Sequence, residues 1–83
     1  MTHAIEWSAR ARKDFDALDS QVSRRVRTAI ERLAIGEGDV RRLADVDPPL
    51  FRLRVGDWRV LFREQRGTIV ILRVLPRDKA YRS

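Results

Sequence analysis

The chain has 83 residues, 43% of them hydrophobic and 36% charged, with a formal net charge of +6. That length fits one domain spanning residues 1–83 with a modest core, and the apolar fraction is too high for a disordered chain. With no cysteine there is no disulfide framework, thiolate zinc site or cysteine nucleophile, and no apolar stretch approaches the roughly 20 residues of a membrane span. A signal peptide is not expected either, because Glu6 interrupts the first apolar segment, so the expected location is the cytoplasm with no membrane partner.

Thr2 to Trp7, with Ile5 and Trp7 in alternation, reads as an opening strand. Ser8 can cap a helix running to about Leu18, in which Ala11, Phe15 and Leu18 share one face. Asp19 or Ser20 caps a second helix whose apolar stripe is Val22, Val26, Ala29, Ile30 and Leu33, ending near Gly36. Arg24, Arg25, Arg27, Glu31 and Arg32 lie off that stripe and read as a solvated helix surface. Residues 36–49, with Gly36, Gly38, Pro48 and Pro49, read as a connecting loop with room for one helical turn at Val40 to Leu43.

Leu50 to Val55 and Trp58 to Arg63 alternate with the two-residue period of half-buried strands, joined by a tight turn at Gly56-Asp57. Counting outward from that turn sets Val55 opposite Trp58, Leu53 opposite Val60 and Phe51 opposite Phe62 on one apolar face. The other face carries Arg52, Arg54, Arg59, Leu61 and Arg63, with Arg54 and Arg59 directly opposed. Like charges in direct opposition destabilise a sheet, so this face is expected to hold an anion. A turn at Gln65-Arg66-Gly67 leads into a strand from Thr68 to Leu75, with Val70, Leu72 and Val74 expected on one face and Ile69, Ile71 and Arg73 on the other. Pro76 ends it, and the tail returns positive charge and Tyr81 to the end of the sheet. The expected fold class is α+β, an N-terminal strand and a two-helix hairpin packed on one face of a mostly antiparallel sheet. The opposite, arginine-bearing face is expected to be uncovered.

The charge is unevenly placed. Residues 1–49 hold nine basic and nine acidic side chains, whereas residues 50–83 hold nine basic and three acidic, so the whole excess of +6 lies in the hairpin and the segments C-terminal to it. Such a concentrated field attracts a nucleic acid or an acidic protein. His3 is the only histidine, no two carboxylates sit at metal-ligand spacing, and no glycine-rich phosphate loop opens a helix, so the expectation is a site without metal or cofactor. What remains is Arg52, Arg54, Arg59, Arg73, Arg77 and Tyr81. Guanidinium forks suit phosphate oxygens and can stabilise the charge that builds when a 2′-hydroxyl attacks phosphorus, which confines such chemistry to RNA. Proton transfer is less well provided for, with Tyr81 and Lys79 the nearby candidates.

Glu6-Trp7-Ser8, then Ala11 to Phe15 and Leu18, then Phe51 to Phe62, then Leu72-Arg73-Val74 and Pro76 to Arg82 resemble the RelE/ParE superfamily of toxins from type II toxin-antitoxin systems. The resemblance implies a compact, microbial-RNase-like fold and an antitoxin whose acidic segment wraps the toxin. In the RelE branch it implies metal-independent endoribonuclease activity on messenger RNA at the ribosomal A site, and so inhibition of translation. By motif position Arg52 and Arg54 match the basic pair read as transition-state stabiliser and general base. Arg59 matches the phosphate-binding arginine, Arg77 the general acid, and Tyr81 the tyrosine that stacks on or orients the substrate base. Arg63, Arg73, Lys79 and Arg82 join these as expected RNA contacts. Where well-studied ribosome-dependent members carry lysines this chain has Arg52 and Arg54, which leaves its general base to be identified. The ParE branch implies instead an inhibitor of DNA gyrase without nuclease activity; Arg77 together with Tyr81 favours the RelE branch, and an inactive binding remnant is a third alternative.

Overall fold

The computed structural model describes residues 2–80; Tyr81 and Arg82, expected at the site, lie outside the described residues. Strand β1 (Ala4–Trp7) is followed by helices α1 (Ala9–Asp16) and α2 (Ser20–Leu33), then by strands β2 (Asp39–Arg42), β3 (Phe51–Val55), β4 (Trp58–Gln65) and β5 (Thr68–Pro76) and the short helix α3 (Arg77–Ala80). The five strands form one sheet in the order β1-β5-β4-β3-β2, with only the β1–β5 pair parallel. This is the expected α+β class, with the two N-terminal helices supplying one side of the core.

Each helix starts where a side chain can satisfy its free amides. Ser8 Oγ accepts from Ala11 N at 3.0 Å, and Asp19 Oδ1 accepts from Val22 N at 2.9 Å. From α2 the side chains of Val26, Ile30 and Leu33 are buried against Leu53, Val60, Phe62, Ile69 and Ile71 of the sheet. Trp7 and Phe15 meet edge to face at 5.1 Å, which locks α1 to the strand that precedes it.

β1 is shorter than β5 and covers it only as far as Ile71. Beyond that point α1 takes over the role of a neighbouring strand. Ser8 N donates to Ile71 O, Ser8 Oγ donates to Leu72 O, and Val74 N donates to the Asp14 carboxylate at 2.9 Å. Backbone groups of β5 that a bare edge would leave to water are thereby paired with Ser8 and Asp14.

Four expectations change. Residues 39–42 are a strand, not part of a loop or a helical turn. All four are exposed, so they show none of the alternation that marks a half-buried strand, and pairing with β3 alone makes them one. On β5, Ile69, Ile71 and Val74 are the buried residues, because a register shift opposite Leu61/Phe62 lets Leu72 bulge and inverts the alternation after it. The tail forms helix α3 directly after Pro76, and Arg77 N donates to Asp57 O at 2.8 Å, docking the helix start on the β3–β4 turn. Finally, the arginine face is not wholly uncovered. Leu61, opposite in facing to the main core, is only 4% exposed, and Ala80 of α3, a helix that touches both β4 and β5, is buried with it.

Candidate nucleic-acid interface

The β3–β4 hairpin closes on Gly56-Asp57 in the expected register, Val55 facing Trp58 and Arg54 facing Arg59. Gly56 has φ +57°, the left-handed value required at the first central position of such a turn, which glycine adopts without strain. Pairing of β2 with β3 extends the register outward, so that two rows of side chains cross the sheet on the face away from the helices. One row runs Asp39, Arg54, Arg59, Leu75, and the next runs Arg41, Arg52, Leu61, Arg73.

Asp39, Arg41, Arg52, Arg54 and Arg59 line a single cleft of about 300 Å³. Among the described residues, four arginines on three adjacent strands and one aspartate line this space. Arg54 is exposed and Arg52 half-buried. Arg59 is different: it is 4% exposed, and its Nη1 donates to Gly56 O at 2.7 Å and Trp58 O at 2.8 Å. One arm of that fork therefore fastens the turn. Arg59 is nonetheless among the residues that line the cleft.

The other expected contacts are not gathered there. Arg73 pairs with Asp14 of α1, which its Nε meets at 2.8 Å and its Nη2 at 3.2 Å. Burial pushes the Asp14 carboxyl up, but hydrogen bonds from Arg73 and Val74 N and the charges of Arg73 and Arg10 outweigh it and hold the group below its usual range. The hydrogen bond to Asp14 likewise raises the Arg73 guanidinium above its ordinary value. A two-point ion pair of this kind is a structural clamp, so Arg73 fastens α1 to β5. Arg63 is half-buried on β4 opposite Val70, beyond the cleft. Arg77 and Lys79 are exposed on α3, with Arg77 anchored through its backbone near the hairpin turn.

Two cleft residues, Arg41 and Asp39, are additions to the expected set. They are hidden in the sequence because a short polar segment between glycines and prolines reads as a loop, and no apolar alternation marks it as a strand. A larger groove of about 780 Å³ lies on the helix side, between α2 and β3, with Ala29, Leu53 and Val55 in its wall and Arg24, Arg25 and Arg32 among its polar lining. Arg54 borders both spaces. Among the described residues no three His, Asp or Glu side chains converge as metal ligands would, and no helix is long and apolar enough to cross a membrane.

Comparison with known proteins agrees with this fold. The archaeal RelE–RelB complex from Pyrococcus horikoshii OT3 contains a chain 27% identical, superposing with a TM-score of 0.70 over 93% of this chain and 97% of that one. The RelBE2 toxin-antitoxin complex from Mycobacterium tuberculosis contains one 25% identical, with a TM-score of 0.72 over 93% and 100%. The RelB-RelE complex from Methanococcus jannaschii, at 21% identity, shares the fold with a TM-score of 0.76 over 93% and 95%. No curated protein sequence matches the chain significantly. Residues 5–81 match the family described as ParE toxin of type II toxin-antitoxin system, parDE, so the chain belongs to that family, within the RelE/ParE superfamily, and is the toxin of a type II toxin-antitoxin system.

Proposed function

We propose that this toxin is a metal-independent endoribonuclease that cleaves messenger RNA at the ribosomal A site, in the cytoplasm, and so arrests translation. The observation that carries the reading is the cleft itself, where Arg41, Arg52, Arg54 and Arg59 converge from three strands on a space the size of a phosphodiester and its sugars. Guanidinium groups there grip the phosphate oxygens and stabilise the charge that develops on them during attack by the 2′-hydroxyl. Arg77 as general acid and Tyr81 as the residue that stacks on the substrate base complete the proposed machinery. The likeness to chains of RelE–RelB complexes supports the RelE branch. It also supports a cognate antitoxin as partner, and the arginine-lined groove between α2 and β3 suits an acidic antitoxin segment.

Primer extension on translated messenger tests this reading. New 5′ ends are expected with the wild-type toxin and are expected to vanish with Arg54→Ala; growth arrest that persists in that variant without cleavage would overturn it. The second reading, a gyrase inhibitor without nuclease activity, is favoured by the match to the ParE family. Inhibited supercoiling with intact messenger would establish it in place of the first.

A further inference from the structure

Among the described residues, the cleft is lined by four permanent cations and a single group able to accept a proton. Asp39 opens β2, pairs directly with Arg54, and lies two residues from Arg41 on the same face. It lines the cleft with Arg41, Arg52, Arg54 and Arg59, and among the described residues its carboxylate forms no ion pair with Arg41, Arg54 or Arg59 within 4.0 Å. A carboxylate in a cleft for a polyanion weakens binding of that polyanion, so it serves affinity poorly. It serves proton transfer well, because an arginine side chain has no basic lone pair at neutral pH.

We infer that Asp39 is the catalytic base of this cleft, taking the proton from the attacking 2′-hydroxyl of an RNA strand whose phosphate is held by Arg52, Arg54 and Arg59. The inference rests on the endoribonuclease reading and assigns the role that the arginine pair on β3 leaves vacant. In the step, the 2′ O–H proton passes to the Asp39 carboxylate and the freed electron pair forms the bond from O2′ to phosphorus. The bond from phosphorus to O5′ breaks, and O5′ takes up the proton supplied by Arg77, which water restores. The products are a 2′,3′-cyclic phosphate and a 5′-hydroxyl. Asp39 then returns its proton to water. Arg54 across the strand pair, Arg41 along it, and Arg52 and Arg59 in the cleft wall are the charged groups that face Asp39.

The experiment measures single-turnover cleavage of messenger on programmed ribosomes, as a function of pH, for the wild type, Asp39→Asn and Asp39→Glu, alongside binding of each to a short RNA oligonucleotide. Asp39 is exposed, so both variants are expected to fold, and thermal melting checks it. The expected result is that Asp39→Asn cleaves about 10²-fold more slowly or less while binding RNA as well or better, and loses the acid limb of the pH–rate profile. Asp39→Glu should recover part of the rate together with that limb. Cleavage by Asp39→Asn at the wild-type rate with an unchanged profile overturns the inference and leaves the endoribonuclease reading standing. Absence of cleavage by the wild type overturns both.

Discussion

Asp14 and Arg73, 59 residues apart in the chain, form a two-point ion pair where helix α1 meets the uncovered end of strand β5. The same carboxylate accepts the backbone N–H of Val74, so one side chain holds an arginine and closes a strand edge. Asp14→Asn is expected to destabilise the fold by about 2 kcal/mol, since a hydrogen-bonded charge is lost while Arg73 keeps part of its burial. Arg73→Ala should cost a similar amount, and the double variant less than the sum. Chemical denaturation of the four proteins in a double-mutant cycle checks it.

Acid should expose the same clamp. Because folding holds the Asp14 carboxyl below its ordinary value of 3.8, the stability it contributes is fully present above that value and is lost as pH falls through the lower folded value. Melting temperature measured from pH 6 down to pH 2 should drop more steeply below about pH 4 in the wild type than in Asp14→Asn. Equal slopes in the two proteins would remove Asp14 from the account.

Arg54 and Arg59 face each other but should fail differently. Arg54→Ala, at an exposed position, should leave stability within about 0.5 kcal/mol of wild type and weaken RNA binding. Arg59→Ala should weaken binding and also cost about 1 to 3 kcal/mol of stability, because the carbonyls of Gly56 and Trp58 lose a charged donor. Fluorescence anisotropy with a single-stranded RNA across a salt series, paired with melting curves, separates the two effects. Each lost phosphate contact should reduce the slope of log affinity against log salt by about 0.7.

Arg41 is expected to match Arg52 in the same titration. It stands directly opposite Arg52 in the register and lines the same cleft, so Arg41→Ala should reduce both affinity and salt slope. An unchanged slope would show that β2 lies outside the RNA footprint.

Gly38→Ala probes how β2 is placed. Gly38 has φ +135°, and a Cβ there would stand 2.8 Å from Cδ1 of Leu53, a side chain only 1% exposed. Strain and overpacking together should cost about 1 to 3 kcal/mol. Gly36→Ala carries the strain of φ +86° with nothing within 4 Å, so it should cost less, and denaturant midpoints of the two variants decide the comparison.

Much of this protein can be read from one dimension. The α2 stripe from Val22 to Leu33, the caps at Ser8 and Asp19, the Gly56-Asp57 turn and the pairing of Arg54 with Arg59 all follow from local periodicity and turn chemistry, which depend on residues a few positions apart. The arginine enrichment of the second half is legible for the same reason, and the likeness to toxin motifs rests on those segments.

Other features needed partners brought from far along the chain. Nothing near residues 39–42 marks them as a strand; β3 does, by offering its edge, and with it Arg41 and Asp39 enter the cleft. The Leu72 bulge reverses which β5 residues are buried because alternation holds only while the ladder is unbroken. Arg73 resembles its neighbouring arginines in sequence and differs from them only because Asp14, supplied by α1, stands within reach. Composition and spacing determined that this chain would carry a cationic surface, but which guanidinium groups face a ligand and which fasten the fold was decided by long-range contacts, since an arginine's role depends on the acceptor that meets it.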